Sequence, residues 1–263
     1  MTDEMTGAVA IVTGGATGIG AAVVRRLSAR GVHCVINYAH SRDAADALAA
    51  ETGGLAVQAD VAEDTDCRAL AKAALDAFGR IDFLVNNAGR TKFANHEKLD
   101  ALDAQDFLDL YKVNTIGPFQ LIRACAAAMR EGPMSAVVNV ASSAGIHGHG
   151  SSVAYAASKG ALITMTRSLA RVLAPAIRVN AVAPGYVNTG WFEREIGAEK
   201  AARIAANVAA KSPMAMAAKP EDVAGPIVML LDPASRVMTG EVLELDAGAS
   251  LDIGFSRRPG KEA

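Results

Sequence analysis

Tyr155 and Lys159 suggest chemistry by their types and spacing, because they lie four positions apart in a helical pattern. That spacing places both side chains on one face of a helix. A free phenol has a pKa of about 10, and a nearby ammonium group favours its ionised form. A tyrosine tuned in this way can act as a general acid or base near neutral pH. Ser142, which follows an apolar run, can donate a hydrogen bond to a developing alkoxide.

A glycine-rich segment, Thr13–Gly20, follows the first apolar run and opens the first helical pattern. Glycines there allow a tight turn close to a pyrophosphate, and a helix N-terminus supplies unpaired N–H groups. Many such segments are only loops, but this placement between strand and helix favours a nucleotide site. No Gly-Lys-Ser/Thr sequence follows, which disfavours an ATP-hydrolysing phosphate loop. The predicted cofactor contacts in this segment are Gly14, Thr17, Gly18, Ile19 and Gly20.

The end of the second apolar run bears on which dinucleotide would bind. An Asp or Glu there would bind the ribose hydroxyls of NAD and repel a 2′-phosphate. This chain carries Tyr38, His40 and Ser41 instead, and Arg42 precedes the first carboxylate, Asp43. The pattern favours NADP(H) over NAD(H), with Tyr38, His40 and Ser41 as cofactor contacts. The alternative is that Arg42 is simply a solvated residue that begins the next helix.

The chain resembles the classical short-chain dehydrogenase/reductase family over about residues 6–248. Several motifs carry the resemblance: the glycine-rich turn, Asp60 within Ala-Asp-Val, the Asn-Asn-Ala-Gly segment 86–89, Asn114, the Ser142/Tyr155/Lys159 set and the Pro-Gly segment 184–189. The resemblance implies a catalytic tetrad of Asn114, Ser142, Tyr155 and Lys159. It implies further cofactor contacts through Asp60, Val61, Asn87, Ala88, Gly89, Pro184, Gly185, Val187 and Thr189, besides Tyr155 and Lys159 themselves.

The resemblance also implies a role for each member of the tetrad. Tyr155 would protonate a carbonyl oxygen as hydride arrives, or deprotonate an alcohol in the reverse direction. Lys159 would lower the pKa of Tyr155 and hold ribose hydroxyls, Ser142 would orient the substrate oxygen, and Asn114 would position a water that relays protons. Ser143 is the neighbour most easily mistaken for the catalytic serine, but the thirteen-residue spacing to Tyr155 favours Ser142.

Two positions depart from the family pattern. The usual Asp-Gly-Gly ending here reads Asp246-Ala247-Gly248, so Ala247 must adopt a backbone conformation that glycine takes more readily. Ala16 stands where many NADP-using relatives carry a basic side chain, which weakens the preference for NADP.

Short apolar runs alternate with helical patterns along the chain, and this alternation predicts a parallel sheet covered by helices on both faces. The predicted fold is α/β, one Rossmann-type, doubly wound domain over residues 1–263, with a core of about 6–248. Its substrate-loop insert covers about 190–216, and a polar tail covers about 252–263. The expected strands are 8–13, 34–37, 55–57, 83–85, 136–140, 177–181 and 242–245. The expected helices are 19–30, 42–52, 63–78, 103–130, 153–174, 191–211 and 220–231.

Composition sets outer limits on function. The chain has 263 residues and a formal net charge of −2, which argues against nucleic-acid binding. No run of 18 apolar residues predicts a membrane span, and the polar, acidic start at residues 1–6 lacks the features of a secretory signal. Three separated cysteines, Cys34, Cys67 and Cys125, then suggest reduced thiols and a cytoplasmic protein.

Several residues near the expected pocket admit more than one role. His147 and His149 are a weak metal pattern without neighbouring ligands, so we expect no metal there, and substrate contact or a plain loop is favoured. Trp191, Phe192, Ile196 and Met214 could close over a substrate or could only pack on the body. His96 and Phe93 could reach the mouth of the pocket.

The sequence therefore predicts an NAD(P)-dependent oxidoreductase that interconverts a ketone and a secondary alcohol on a small-molecule substrate. Among relatives it most resembles 3-oxoacyl-acyl-carrier-protein reductases and sugar dehydrogenases. An NAD-preferring alcohol or sugar dehydrogenase and a catalytically idle dinucleotide sensor on the same fold are the alternatives. Long helical stretches rich in small residues, 103–130 and 153–174, predict a homo-oligomer, and the family resemblance favours a homotetramer.

Overall fold

A seven-stranded parallel sheet forms the centre of the computed structural model, which describes residues 4–133, 135–190, 193 and 197–251. The strand order is β3-β2-β1-β4-β5-β6-β7, and each neighbouring pair is parallel. This confirms the expected doubly wound sheet. The strands are β1 Val9–Val12, β2 His33–Tyr38, β3 Leu55–Gln58, β4 Phe83–Asn86, β5 Ser135–Val140, β6 Ile177–Pro184 and β7 Val242–Leu245.

Helices cover both faces of the sheet. They are α1 Gly18–Ser28, α2 Arg42–Thr52, α3 Asp64–Phe78, α4 Ala104–Tyr111, α5 Gly117–Arg130, α6 Ala144–His147, α7 Val153–Leu173, α8 Ala198–Lys211 and α9 Pro220–Leu231. One apolar cluster joins α1, α2 and α9 to the sheet, and a second joins α3, α5 and α7 to its other face. The strands are continuous apolar runs because both of their faces are buried.

The central strands show how alternate side chains serve the two layers. Ile11 and Leu84 pack in the cluster with α3 and α5, whereas Val12 and Val85 pack in the cluster with α1 and α9. Successive side chains of a strand point to opposite faces, so one short strand contributes to both cores.

The helical stretch expected over 103–130 is interrupted. A π-helical turn, Lys112–Ile116, separates α4 from α5 and contains Asn114. From this turn the Asn114 side chain bonds the backbone of Arg90. Helix α6, four residues after β5, was not anticipated.

The order in which successive strands are added reverses at β1, which pairs with β2 on one side and with β4 on the other. Ligands of open α/β sheets bind at the carboxyl ends of the strands beside such a reversal. The glycine-rich turn follows β1, and Ser142 follows β5, so both lie at that edge.

Some expectations fall on other parts of the chain. Trp191, Phe192, Ile196 and the tail 252–263 lie outside the described residues. The described part of the insert contains α8, and Met214 beyond that helix is 68% exposed. Among the described helices, none is long and apolar enough to cross a bilayer.

Candidate active site

A cavity of about 1220 Å³ opens at the carboxyl edge of the sheet and brings the predicted groups together. Its wall contains most of the predicted cofactor contacts and three of the four predicted catalytic residues. These are Gly14, Thr17, Gly18, Ile19, Asn87, Ala88, Gly89, Ser142, Tyr155, Lys159, Pro184, Gly185, Val187 and Thr189.

The glycine-rich turn is held against the end of β4. The Thr13 hydroxyl accepts hydrogen bonds from the backbone N–H groups of Asn87 and Ala88, at 2.9 and 3.0 Å. The Asn87 amide in turn donates to the Thr13 and Gly14 carbonyls, at 2.9 and 3.0 Å. The turn is therefore fixed before any ligand binds.

Two glycines of this turn are required by its geometry. Gly14 has a φ of +57°, in the region that favours glycine. A Cβ on Gly20 would lie 2.3 Å from the Gly14 carbonyl oxygen. Gly20 therefore permits close packing of the turn rather than lining the cavity, and the first N–H groups of α1 remain directed at the space in front of it.

Helix α7 positions Tyr155 and Lys159 on one face. It begins at Val153, and the Ser152 hydroxyl caps it by accepting from the Tyr155 backbone N–H at 3.2 Å. The Lys159 Nζ lies 6.0 Å from the centroid of the Tyr155 ring and donates to the Val140 carbonyl at 2.8 Å. The end of β5 thus anchors the ammonium group beside the phenol.

Burial shifts the pKa values of both Tyr155 and Lys159 from their values in water. It lowers the pKa of Lys159 from 10.5 to about 8, because the side chain is removed from solvent. It raises the pKa of Tyr155, and a hydrogen bond with Ser142 acts against that rise. The lowering expected from Lys159 is therefore not the dominant effect on Tyr155; desolvation is.

Ser142 and Ser143 have different surroundings. Ser142 contacts the Tyr155 hydroxyl, and its Oγ also accepts from the Ala144 backbone N–H at 3.2 Å. Ser143 is 3% exposed, and its backbone N–H donates to the Pro184 carbonyl at 2.9 Å. Ser142 is thus the serine whose hydroxyl meets the phenol.

Asn114 lies outside the cavity wall and acts as a link between elements. Its amide donates to the Arg90 carbonyl and to the Ser158 hydroxyl, both at 2.9 Å, and its Oδ1 accepts from the Arg90 N–H at 2.9 Å. Ser158 also donates to the Tyr155 carbonyl at 2.7 Å. Sequence reasoning missed Ser158, whose only signal was a hydroxyl directly before Lys159.

Comparison with known proteins assigns the chain to a family. The sequence profile described as Enoyl-(Acyl carrier protein) reductase matches residues 14–250. A short-chain dehydrogenase/reductase structure from Brucella melitensis, titled glucose/ribitol dehydrogenase, superimposes with a TM-score of 0.83 at 30% identity, covering 93% of this chain and 97% of that one. The chain belongs to the short-chain dehydrogenase/reductase family. Membership makes it an oxidoreductase of alcohol and ketone groups that uses NAD(P).

Two curated relatives in the family are similar over nearly their whole lengths. "Granaticin polyketide synthase putative ketoacyl reductase 2" of Streptomyces violaceoruber is 40% identical over 251 residues, covering 95% of this chain and 99% of that protein. The 3-oxoacyl-[acyl-carrier-protein] reductase of Synechocystis is 38% identical, covering 93% of this chain and 97% of that protein.

The cavity fits the family's dinucleotide. A glycine turn that excludes side chains, a helix N-terminus and the Asn87–Gly89 segment form one continuous wall with Tyr155. The segment after β6 closes the other side, where Thr189 lies near Gly18: a Cβ on Gly18 would be 3.4 Å from the Thr189 Cγ2. These two segments would hold the cofactor between them.

Six of the predicted cofactor contacts lie beyond the cavity wall. They are Gly20, Tyr38, His40, Ser41, Asp60 and Val61. Tyr38 is 3% exposed, and the Arg42 guanidinium lies over its ring at 5.5 Å from the centroid. Asp60 stabilises its own turn, because its carboxylate accepts from the Ala62 N–H at 2.9 Å.

Part of the cavity wall consists of histidines that are not among the predicted catalytic or cofactor-binding residues. His96, His147 and His149 all line it, as does Phe93, which is 40% exposed. Within the described residues, no group of three His, Cys, Asp or Glu side chains has the arrangement of a metal site. Sequence reasoning noticed these residues without placing them together.

Proposed function

We propose that this chain reduces the ketone of a 3-oxoacyl thioester to a secondary alcohol, with NADPH preferred as the hydride donor. The contact of Ser142 with Tyr155, beside Lys159 and inside a cavity large enough for cofactor and substrate, carries the proposal. The similarity to reductases named for 3-oxoacyl-acyl-carrier-protein supports the substrate class.

The bound nicotinamide supplies the hydride to the carbonyl carbon; the chain's own groups control the oxygen. The Ser142 hydroxyl donates a hydrogen bond to the carbonyl oxygen and holds it beside Tyr155. The Tyr155 hydroxyl then gives its proton to that oxygen, and one alcohol results from one hydride and one proton. The raised pKa of Tyr155 keeps the hydroxyl protonated at neutral pH, as this direction requires.

Lys159 stabilises the phenolate that remains on Tyr155 after proton transfer. Its ammonium group, 6.0 Å from the Tyr155 ring centroid, favours the negative charge on the phenol oxygen. Asn114 acts through structure, since its bonds to Arg90 and Ser158 hold the π-helical turn against α7. Asn114 is therefore a positioning residue in this proposal.

Substitution of the proton donor tests the proposal. Tyr155→Phe removes the hydroxyl and keeps the ring, so kcat should fall by about 10²–10⁴-fold while NADPH affinity changes little. Ser142→Ala should lower kcat, whereas Ser143→Ala serves as the matched control because Ser143 is buried and the hydrogen-bond partner of Tyr155 is Ser142. Steady-state NADPH oxidation and NADPH titration give both quantities. Retention of more than about a tenth of kcat in Tyr155→Phe would contradict the mechanism.

The preference for NADPH rests on the end of β2. Arg42 packs on Tyr38 and donates to the Gln58 amide oxygen at 2.8 Å. Because that partner is neutral, the guanidinium charge is available to a 2′-phosphate. This placement supports a cofactor role for Arg42 over a solvated residue.

Arg42→Gln tests this preference. We expect kcat/KM for NADPH to fall about tenfold, which corresponds to the loss of a charged hydrogen bond, while the value for NADH stays the same. Arg68→Gln is the control, because Arg68 is an exposed residue of α3 paired with Asp64. A wild-type enzyme that uses NADH more efficiently than NADPH would overturn the assignment.

We propose a homo-oligomer, most simply a tetramer with two-fold symmetry. The described surface of α4, α5, α7 and the turn between α4 and α5 exposes Leu108, Ile116, Phe119, Val153 and Val172, each by more than a third. Apolar side chains on neighbouring long helices are typical of subunit interfaces. Light scattering at micromolar protein should return a mass well above the 27.1 kDa of one chain.

Oxidation of a sugar alcohol is the second candidate, since the Brucella melitensis structure is titled glucose/ribitol dehydrogenase. A panel of 3-oxoacyl thioesters and polyols, each with both cofactors, separates the two. Greater kcat/KM for a polyol with NAD than for every thioester with NADPH would favour the second candidate.

A further inference from the structure

One stretch of the cavity wall is a pair of loops tied to each other next to Tyr155. The Ala94 N–H donates to the Ser151 carbonyl at 2.9 Å, and the Thr91 and Ser151 hydroxyls share a hydrogen bond. A Cβ on Gly150 would lie 3.8 Å from the Tyr155 Cδ1 atom. The loop that follows α6 therefore occupies a fixed place beside the phenol ring.

His149 lies on this loop and His147 is the last residue of α6, where Glu244 of β7 contacts it. The His147 Nε2 lies 2.6 Å from a Glu244 carboxylate oxygen. The His149 ring is stacked parallel to the His147 ring, with centroids 5.8 Å apart and an interplanar angle of 9°. Glu244 thus holds the His147 ring, and the His149 ring packs parallel to it.

The neighbours of His149 in the wall already have partners. His96 uses its Nε2 on the Gly150 carbonyl at 3.2 Å, and His147 uses its Nε2 on Glu244. The Asp246 carboxylate accepts from the Gly248 and Ser250 N–H groups, at 2.8 and 2.6 Å. His149 forms no hydrogen bond within the described residues, although its ring lines the cavity.

The chemical form of His149 suits a neutral partner. Burial lowers the pKa of His149 below its usual value of 6.5, so the ring is neutral at pH 7. A neutral imidazole offers one N–H donor and one acceptor nitrogen. A carbonyl oxygen, which accepts only, matches the donor, and the second carbonyl of a 3-oxoacyl thioester is separated from the ketone by a single methylene.

We propose that His149 is a specificity-determining residue that donates a hydrogen bond to the thioester carbonyl while the ketone oxygen meets Ser142 and Tyr155. The inference rests on the proposed reductase function and deepens it. The hydrogen bond from His149 would favour 1,3-dicarbonyl substrates over simple ketones, because only the former have a second carbonyl oxygen to accept it. His147 and Glu244 are positioning residues, since they act through the ring of His149.

The test compares two substrates: 3-oxobutanoyl-N-acetylcysteamine, and the matched ketone in which a methylene replaces the thioester carbonyl. For His149→Phe, which keeps a planar ring without a donor, the ratio of kcat/KM for thioester to ketone should fall about tenfold, as expected for one hydrogen bond. His149→Gln keeps an N–H donor and should restore most of that ratio. His33→Phe is the control, because His33 is an exposed residue stacked on Phe78 at the far end of β2.

The possible outcomes separate the two proposals. An unchanged ratio in His149→Phe, or no recovery in His149→Gln, overturns the role of His149 while wild-type activity leaves the reductase function intact. Wild-type protein that binds NADPH but reduces neither substrate rejects the proposed function, and the role of His149 falls with it. If the wild type reduces only the thioester, the same loss and recovery are scored on kcat/KM for the thioester.

Discussion

Lys159 carries a charge that its buried position disfavours, so removal of that charge should raise the free energy of unfolding. The side chain is 4% exposed, and burial lowers its pKa from 10.5 to about 8. At about 1.4 kcal/mol per pKa unit, charging Lys159 in the folded protein costs about 3 kcal/mol at pH 7. Lys159→Met keeps the stem and removes the charge. It also leaves the Val140 carbonyl without its donor, at about 1 kcal/mol, so we expect a net stabilisation of about 1–3 kcal/mol.

The gain should depend on pH in a definite direction. The unfolded chain binds a proton at Lys159 up to pH 10.5 and the folded chain only up to about pH 8, so wild-type stability rises with pH between these values. The penalty is complete below about pH 7 and is reduced by about 2 kcal/mol at about pH 9.5. The advantage of Lys159→Met over the wild type should therefore shrink by that amount.

Urea unfolding of cofactor-free protein, at one protein concentration and at both pH values, measures the difference. Lys72→Met is the control, because Lys72 is 72% exposed and paired with Asp76 on the surface of α3, so its effect should stay within about 0.5 kcal/mol. Lys159→Met should also have lost its reductase activity. A variant destabilised by more than about 1 kcal/mol at pH 7, or a difference that does not change with pH, would refute the reasoning.

Three further predictions follow from individual positions. Gly20→Ala places a Cβ 2.3 Å from the Gly14 carbonyl oxygen, so it should destabilise the fold by about 1–3 kcal/mol and weaken NADPH binding in calorimetric titration. Gly225→Ala is the control: its Cβ would meet no atom closer than 3.8 Å, so neither stability nor NADPH binding should fall. Ala247 has a φ of +56°, so Ala247→Gly should raise the free energy of unfolding by up to about 1 kcal/mol, and a fall would contradict strain at this turn. Ketone reduction should decline as pH rises above about 8, where Lys159 loses its charge, and a kcat that stays level to about pH 10 would exclude that dependence.

Local signals in the sequence were sufficient for some elements. The helix expected at 220–231 and the strand expected at 242–245 have those bounds in the structure. Pro220 at the start of α9 and a short apolar run in β7 are signals that neighbouring residues alone provide. The spacing of Ser142, Tyr155 and Lys159 likewise predicted their meeting in one cavity.

Other features depend on contacts between distant residues, which a single sequence does not reveal. Asn114, in the interruption at 112–116, bonds the backbone of Arg90, 24 positions away. The His147 ring, on which His149 stacks, is held by Glu244, 97 positions away from His147. The φ of Ala247 is a partial exception, because its departure from a glycine pattern signalled the left-handed conformation directly.

The π-helical turn between α4 and α5 has a consequence for inheritance. Such a turn holds an extra residue compared with a regular helix, and each residue of an α-helix adds about 100° of rotation. Loss of a single codon within 112–116 would instead close the wide turn into a regular helix and leave α5 nearly in register, so Leu121 and Cys125 would still face the sheet while Asn114 would lose its place. An in-frame deletion at the turn should therefore spare the fold but cost the bonds from Asn114 to Arg90 and Ser158.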